Sequence, residues 1–148
     1  MGEEKKRISC NQGGEKPKGQ NYVFGRAGED EACKYLIRQG MEILERNFRC
    51  RMGEIDIIAK DGDSLVFAEV KTRRSKRYGS PLLAITPGKM RHLALTAEYY
   101  MKGRPQLRYR NCRIDAIGVV LGRGWMPEDG VSGELEISHV RGIRVESR

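Results

Sequence analysis

Histidine is scarce in this sequence of 148 residues. The two histidines, His92 and His139, lie far apart, which excludes a histidine-rich metal site. The four cysteines, at positions 10, 33, 50 and 112, show neither CxxC spacing nor zinc-ligand pairing. In a chain of this size they are typical of reduced cytosolic thiols and not of a disulfide framework. Catalysis by a Ser-His-Asp or Cys-His group is disfavoured, because it needs a base within hydrogen-bond reach of the nucleophile.

Long apolar runs are absent as well. The mean hydropathy is -0.61, and no stretch approaches the roughly 20 apolar residues of a transmembrane helix. The first twenty residues hold no apolar segment of the length that a secretory signal requires. These absences predict a cytoplasmic protein with no membrane partner. The length is close to that of one domain, roughly 100–150 residues, and argues against two.

The positive charge of the chain is concentrated in one internal block. The net charge is +8, yet residues 71–113 contain twelve Lys and Arg against a single acid, Glu98, so this basic block alone carries +11. Such a concentration is typical of proteins that bind a polyanion, nucleic acid first and an acidic membrane surface second. A solvated face that maintains solubility is the alternative. The residues expected to contact phosphates are Arg73, Arg74, Lys76, Arg77, Lys89 and Arg91.

The predicted elements follow the order helix, hairpin, helix, strand, strand. Residues 1–22 are polar and are expected to form a disordered leader ahead of one domain over residues 23–148. Helical spacing predicts a first helix over about 25–39, and Thr86-Pro87 and Gly103 bound a second. Strands are predicted near 42–48, 55–58, 65–70, 107–121 and 135–145. This order predicts an α/β fold with a central mixed β-sheet flanked by helices.

Three carboxylates and a lysine share one face of the predicted hairpin. Because side chains alternate along a strand, Glu54 and Asp56 point the same way, as do Glu69 and Lys71. A two-residue turn at Asp61-Gly62 would place Glu54 opposite Glu69, whereas a loop two residues longer would place Asp56 there. In both registers the acids repel one another unless a cation or the lysine compensates. A simple solvent-exposed face is the alternative, since antiparallel sheets often keep one face wet.

Glu29 adds a fourth carboxylate from the first helix. It precedes Leu36 by seven residues and therefore lies on the apolar stripe of that helix, where an acid needs a partner. Hard divalent cations such as Mg²⁺ take oxygen ligands, commonly one or two carboxylates plus water and phosphate oxygens. A metal ion held by these carboxylates would polarise a scissile phosphate, while Lys71 would orient water or stabilise developing charge.

These residues also form a recognisable set. Asp56, followed thirteen residues later by Glu69-Val70-Lys71, resembles the D…(D/E)-x-K signature of the restriction-endonuclease-like nuclease superfamily. Ile55 stands where that superfamily often has a proline, a difference that removes no ligand. A closer similarity is carried by residues 25–29, 46–49, 53–58, 69–73 and 78–81, with Ala84, Lys89 and Asp115. Over about residues 24–140 the chain resembles the YraN family of small bacterial proteins, predicted nucleases related to archaeal Holliday-junction resolvases.

The resemblance implies a restriction-endonuclease-like fold and a metal-dependent endonuclease that acts on structured or branched DNA. Asp56 and Glu69 would bind Mg²⁺ or Mn²⁺, Glu29 would approach the metal from the helix, and Lys71 would be the catalytic lysine. Glu54 belongs to the same family motif as Asp56 and is a candidate accessory residue. The expected partner is nucleic acid, foremost DNA, and a homodimer is left open. The alternatives are a nucleic-acid-binding module without catalysis and a structural protein that binds an acidic partner.

Overall fold

The computed structural model describes residues 20–125 and 133–143, and within them five strands form one sheet in the order β1-β2-β3-β4-β5. Strands β3 and β4 are parallel, and the other neighbours are antiparallel. The α/β fold with a central mixed sheet flanked by helices is therefore confirmed. The elements are α1 (Gln20–Arg38), β1 (Glu42–Cys50), β2 (Gly53–Asp61), β3 (Ser64–Arg73), a short 3-10 helix (Pro81–Ala84), α2 (Pro87–Lys102), β4 (Asn111–Leu121) and β5 (Leu135–Val140).

Helix α1 begins five residues before its predicted start. The last three positions of the expected leader, residues 20–22, are helical, while residues 1–19 of that leader lie outside the described residues. Within the added segment, Phe24 packs against the core beneath α1. At the other end Gly40 adopts a φ of +90°, the left-handed conformation that favours glycine after a helix. That end agrees with the prediction.

The β2–β3 hairpin turns one residue later than predicted. Asp61 pairs with Ser64, which leaves a two-residue loop whose first residue, Gly62, has a φ of +58°. A glycine with positive φ at that position is what a type II′ hairpin requires. The register that sets Glu54 opposite Glu69 is therefore wrong. The observed pairs, extended by one residue, place Asp56 opposite Glu69. The loop still has two residues, so this register arises because the turn is shifted by one residue and not because the loop is longer.

Helix α2 has the predicted boundaries and crosses over between two parallel strands. Thr86 caps it by accepting a hydrogen bond from the backbone N–H of Lys89 at 3.2 Å, and Pro87 follows in the first turn. Parallel strands need such a crossover, and α2 supplies it between β3 and β4. No helix in the described part of the chain has the length and apolar character needed to cross a membrane.

The sheet separates two apolar cores. One core lies beneath α1 and contains Leu36, Ile57 and Val119, and the other lies beneath α2 and contains Phe67 and Leu93, with their neighbours. Strands β2 and β3 are thus covered on both faces, as the apolar residues on both of their faces indicated. A carboxylate on the part of β2 or β3 that the helices cover is removed from water, and its charge then needs an ion-pair or hydrogen-bond partner.

A buried ion-pair network joins β4 to β5 and α1. Asp115 is fully buried and accepts hydrogen bonds from Arg113 Nε at 3.0 Å and from the backbone N–H of Gly142 at 3.0 Å. Its other oxygen lies 2.7 Å from Nε2 of His139, whose Nδ1 lies 3.1 Å from the hydroxyl of Tyr35. Burial would raise the pKa of Asp115, but the hydrogen bonds from His139, Gly142 and Arg113 outweigh burial and lower it.

Candidate metal and nucleic-acid site

Asp56 and Glu69 meet where β2 and β3 separate. Ladder pairing between the strands runs as far as Ile57 and Ala68. Beyond that point the backbone N–H of Val70 donates to Oδ2 of Asp56 at 2.8 Å. The side chains of Asp56 and Glu69 also hydrogen-bond to each other. The sheet therefore brings together the two carboxylates that the sequence pattern singled out.

The carboxyl group of Asp56 resists ionisation. Burial is the main cause, the charge of Glu69 is the second, and the charge of Glu29 adds to both. Together they raise the pKa of Asp56 from 3.8 to about 8, although the hydrogen bond from Val70 opposes the change. Two carboxylates held close together and partly shielded from water either share a proton or are neutralised by a cation.

Two lysines converge on Glu69. Nζ of Lys71 lies 3.5 Å and Nζ of Lys89 lies 2.5 Å from Oε1 of Glu69. Burial lowers the pKa of Lys71, and the adjacent Lys89 lowers it further. Burial also acts to lower the pKa of Lys89, but the hydrogen bond to Glu69 outweighs it, so that this pKa is raised. The ammonium group of Lys89 is thus the principal counterion of Glu69.

Lys89 was expected at phosphates and not at a carboxylate. It lies in the first turn of α2, whose start is readable from Thr86 and Pro87. Which strand that turn lies against depends on how the crossover packs on the sheet, and local patterns carry no information about it. The contact between Lys89 and Glu69 is therefore a feature that sequence reasoning missed.

Glu29 lies on the α1 side of the carboxylate pair. Its charge acts on Asp56, and burial raises its own pKa, with Arg46 and a hydrogen bond to Asn47 opposing the rise. Across residues 20–125 and 133–143, no three His, Cys, Asp or Glu side chains lie close enough together to hold a metal ion. Two adjacent carboxylates nevertheless match the oxygen donors that Mg²⁺ prefers. The donor set fits a metal bound by Asp56 and Glu69, with Glu29 close by.

Asn47 belongs to the 46–49 motif of the family resemblance, but the sequence assigned it no role in the site. It lies in β1 between the partners of Ile55 and Ile57, and therefore opposite Asp56. Its φ of +53° is unusual for a residue other than glycine, although asparagine tolerates it better than most. Its side chain lies near Glu29 and acts to lower the pKa of that carboxyl group. An asparagine within an otherwise strand-like segment was the available signal.

Glu54 does not join the site. Its side chain is exposed and pairs with Nε of Arg49 on β1 at 3.1 Å. Strict alternation would place Ile55 and Ile57 on one face, yet Ile55 packs in the core beneath α2 and Ile57 in the core beneath α1. The alternation breaks between them, next to Asp56. The expectation that Glu54 and Asp56 share a face is therefore wrong.

Helix α1 approaches β3 very closely at Gly28. A Cβ atom added there would lie 1.9 Å from Oγ1 and 2.8 Å from Cβ of Thr72. Such distances are incompatible with a side chain unless the helix or the strand moves. Because Glu29 follows Gly28 directly, this close contact also sets how near Glu29 comes to the carboxylate pair.

The basic block is split between opposite ends of the sheet. Ser64 is level with Asn111, and Arg73 is level with Val120, so the two ends of β3 are separated by about 30 Å along the strands. Residues 73–77 lie at the end near Lys71, and residues 102–110 precede β4 at the other end. The block is therefore not one continuous surface.

The arginines near the site are free of acidic partners. Lys76 forms an ion pair with Glu136 on β5. In contrast, no described acid comes within 4.0 Å of the guanidinium groups of four arginines, which we call the site arginines: Arg73, Arg74, Arg77 and Arg91. At the far end, Arg104 and Arg113 pair with Glu45 and Asp61. Uncompensated charge is thus available beside the carboxylates.

Comparison with known proteins assigns the chain to a family. Residues 28–119 match the model of the uncharacterised protein family UPF0102. A UPF0102 protein of Caldicellulosiruptor saccharolyticus is 48% identical over 100 residues, which cover 66% of this chain and 82% of the relative. Another, from Rhodococcus jostii, is 42% identical over 121 residues, covering 82% and 95% respectively. The chain therefore belongs to the uncharacterised protein family UPF0102, which is YraN-like as its motifs indicated.

Proposed function

We propose that this protein is a metal-dependent endonuclease that hydrolyses phosphodiester bonds of structured or branched DNA. The observation that carries the proposal is the closeness of two carboxylates, the buried Glu69 and the half-buried Asp56, with two lysines at 2.5 and 3.5 Å from Glu69. Burying two like charges side by side opposes folding, so the arrangement needs a compensating use. Binding a divalent cation next to a phosphate is such a use.

Each residue of the site has a role in this proposal. Asp56 and Glu69 would hold Mg²⁺ or Mn²⁺, and the ion would supply Lewis-acid polarisation of the phosphate and activation of water. Lys71, half-buried beside Glu69, would direct its positive end towards the phosphate and stabilise the charge that develops there. Lys89 supplies a positive charge next to Glu69. Glu29 would add negative potential at Asp56.

The choice of DNA as substrate rests on charge and on the family resemblance. The site arginines offer positive charge without internal partners, and phosphate contacts supply most of the affinity of DNA-binding proteins. The resemblance to junction resolvases favours branched DNA over continuous duplex. An enzyme with chromosomal DNA as its substrate works in the cytoplasm of a bacterium, which agrees with the expected location.

The test pairs binding with cleavage on the same substrates: linear duplex, single strand and four-way junction. Asp56→Asn and Glu69→Gln should each reduce cleavage in Mg²⁺ or Mn²⁺ by about 100-fold or more. Their DNA affinity in EDTA should be unchanged or higher, because each substitution removes a negative charge near the phosphate. Lys71→Ala should abolish cleavage too, but with slightly weaker binding. Opposite effects on affinity with the same loss of cleavage are hard to obtain by misfolding.

Glu54→Gln is the matched control. It removes a carboxylate from the same strand, two residues from Asp56, at an exposed position outside the site. Cleavage should remain at the level of the unsubstituted protein. A loss of cleavage as large as that of Asp56→Asn would contradict the assignment of roles within β2.

A binding module without catalysis is the second candidate, and one observation favours it. Lys89 already neutralises Glu69, and the described residues provide no third carboxylate, histidine or cysteine for a metal. If the unsubstituted protein binds DNA but cuts none of the three substrates with either metal, this second function replaces the first. If it binds no nucleic acid at all, the basic residues serve an acidic protein or surface instead.

A further inference from the structure

We propose that Tyr78 and Leu83 form an apolar tip that stacks on unpaired bases, so that the substrate is DNA with unpaired or unstacked nucleotides beside the cleaved bond. This inference rests on the proposed function and names the substrate class of that same site. Tyr78 lies on the loop that follows β3, the strand that carries Glu69 and Lys71, and Leu83 lies in the 3-10 helix that comes next.

The two side chains of the tip are exposed far more than their chemistry favours. Tyr78 is 91% exposed and Leu83 is 75% exposed, the highest values for large apolar side chains in the described part of the chain. Leu83 lies next to the turn that follows Tyr78, because its Cδ1 is only 2.7 Å from where a Cβ on Gly79 would be. Gly79 has a φ of +98°, so the tight turn after Tyr78 requires glycine.

The loop that carries the tip is anchored at both ends. On one side it continues from β3. On the other, Ser80 accepts a hydrogen bond from the backbone N–H of Leu82 at 3.2 Å, and Pro81 is buried. Pro81 and Leu82 pack against Gly118, with side-chain atoms 3.2–3.4 Å from its ideal Cβ position. Gly118 on β4 is the register partner of Lys71 on β3. The anchored end of the loop therefore packs on the residue next to the proposed catalytic lysine.

The surroundings of the tip match nucleic acid with open bases. Arg73, Arg74 and Arg77 precede it along the chain and are free of acidic partners among the described residues. The guanidinium of Arg77 lies 5.9 Å from the centre of the Tyr78 ring, within the range of a cation–π contact. Arginines around the tip can contact phosphates, while an aromatic ring can stack on any of the four bases. Intact duplex offers the phosphates but keeps its bases stacked.

An anionic lipid surface would satisfy the charge but not the rest of the arrangement. Insertion into a bilayer takes a broad amphipathic face, and the tip presents two side chains. The tip also follows the strand that carries Glu69 and Lys71, two residues of the proposed catalytic site that a lipid surface would leave without a role. Unpaired bases next to a phosphodiester account for the aromatic ring, the arginines and the carboxylates together.

The test measures affinity in EDTA for three labelled DNAs of matched sequence: a continuous duplex, the same duplex with a short single-stranded gap, and a four-way junction. Tyr78→Ala should weaken binding to the gapped DNA by about 5- to 100-fold, the range found when a base-stacking aromatic is removed. Binding to continuous duplex should change less than about twofold. Tyr78→Phe keeps the ring and should bind all three DNAs as the unsubstituted protein does.

Tyr109→Ala is the matched control. Tyr109 is also an exposed tyrosine, at 38%, and stands between two arginines, but it precedes β4 at the far end of the sheet. It should leave every affinity unchanged. Equal losses for Tyr78→Ala on gapped and continuous DNA, or a loss for Tyr109→Ala as large as that for Tyr78→Ala, would overturn the stacking proposal.

A second measurement reads the contact directly. Gapped DNA carrying 5-iodouracil in the gap is irradiated in the complex, and the crosslinked residue is identified by mass spectrometry. A crosslink at Tyr78 supports the proposal, and a crosslink elsewhere overturns it. If Tyr78→Ala changes binding to phosphatidylglycerol vesicles but to no DNA, the tip belongs to a lipid surface and the proposal is wrong.

Failure of this inference is distinguishable from failure of the proposed function. If the protein cuts DNA in an Asp56-dependent manner while Tyr78→Ala has no effect, the nuclease stands and the tip has no role in substrate choice. If the protein binds none of the three DNAs, both proposals fall.

Discussion

At the scale of single residues, Asp115 shows how a buried carboxylate stays ionised. Three donors from three parts of the chain surround it: Arg113 on the same strand, His139 on β5 and the backbone of Gly142. Because these hydrogen bonds favour the ionised form, the pKa of Asp115 lies below its usual 3.8. Asp56 is the opposite case, since burial and neighbouring carboxylates raise its pKa to about 8. The position of donors decides between the two outcomes.

The lowered pKa of Asp115 predicts a loss of stability in acid. A group whose pKa is lower in the folded than in the unfolded state contributes stability above its unfolded pKa, and the contribution is lost as the pH falls through the folded value. The free energy of unfolding, measured with urea, should therefore decrease below about pH 4. Asp115→Asn should cost about 3–5 kcal/mol at pH 7 and make the acid dependence shallower.

Glu98→Gln is the control for Asp115. Glu98 is exposed and pairs with Lys102 at 3.0 Å along α2, a contact typically worth about 0.3–0.5 kcal/mol. Its substitution should leave the acid dependence as it is. A protein with Asp115→Asn that is as stable at pH 7 as one with Glu98→Gln would contradict the importance of the network.

At the scale of elements, the contact between α1 and β3 positions the α1 side of the site. Gly28 lets the helix backbone come within reach of Thr72, and Glu29 follows immediately. Two glycines, Gly25 and Gly28, thus occur one turn apart in α1 for different reasons. A Cβ at Gly25 would meet nothing within 4 Å, whereas one at Gly28 would overlap Thr72.

Alanine at these two positions should have opposite effects on stability. Gly28→Ala should destabilise the protein by about 1–3 kcal/mol, the usual cost of forcing atoms into a packed contact. Gly25→Ala should stabilise it by about 0.5–1 kcal/mol, because alanine is the better helix former and the space is open. Denaturant unfolding of both variants provides the measurement.

The double variant Gly28→Ala with Thr72→Ala tests the cause. It should recover part of the loss, since two of the three overlapping Thr72 atoms are removed while Cβ remains. Additive effects of the two substitutions would show that Gly28 acts elsewhere. Equal effects of Gly25→Ala and Gly28→Ala would contradict the close approach itself.

At the scale of the whole molecule, the positive charge of the basic block is divided between the two ends of the sheet. The sequence carries its excess charge in one block, but the parallel pairing of β3 with β4 sends the two halves of that block to opposite ends of the sheet. The half near the carboxylates includes the unpaired site arginines. The other half is partly neutralised, as in the pairs of Arg104 with Glu45 and Arg113 with Asp61.

This distribution predicts which cations set the salt dependence of DNA binding. On duplex DNA the log–log slope of affinity against salt is about -0.9 per neutralised phosphate. Replacing Arg73, Arg74 and Arg77 by Ala should therefore reduce the magnitude of the slope by up to about 2.7. The matched triple substitution at the far end, of Lys102, Arg108 and Arg110, should leave the slope unchanged. Equal changes in both triple variants would mean that DNA spans the whole sheet.

The sequence by itself determined the features that depend on near neighbours. Alternating apolar residues around Gly62 predicted the β2–β3 hairpin, and Thr86, Pro87 and Gly103 predicted the bounds of α2. The spacing of Asp56, Glu69 and Lys71 placed these three side chains together, because a hairpin is a local structure whose register varies over few residues. The helical spacing of Glu29 on the apolar stripe of α1 added a fourth acid, whose charge acts on Asp56 in the structure.

Only the tertiary structure decided what else surrounds these residues. Lys89 reaches Glu69 because α2 packs against the sheet. Asn47 lies opposite Asp56 because of the register in which β1 pairs with β2, and it adopts a positive φ there. Glu54 leaves the site because alternation fails at the next residues of β2. Each of these depends on pairing and packing between segments distant in sequence, where the free energy of burial outweighs local preference.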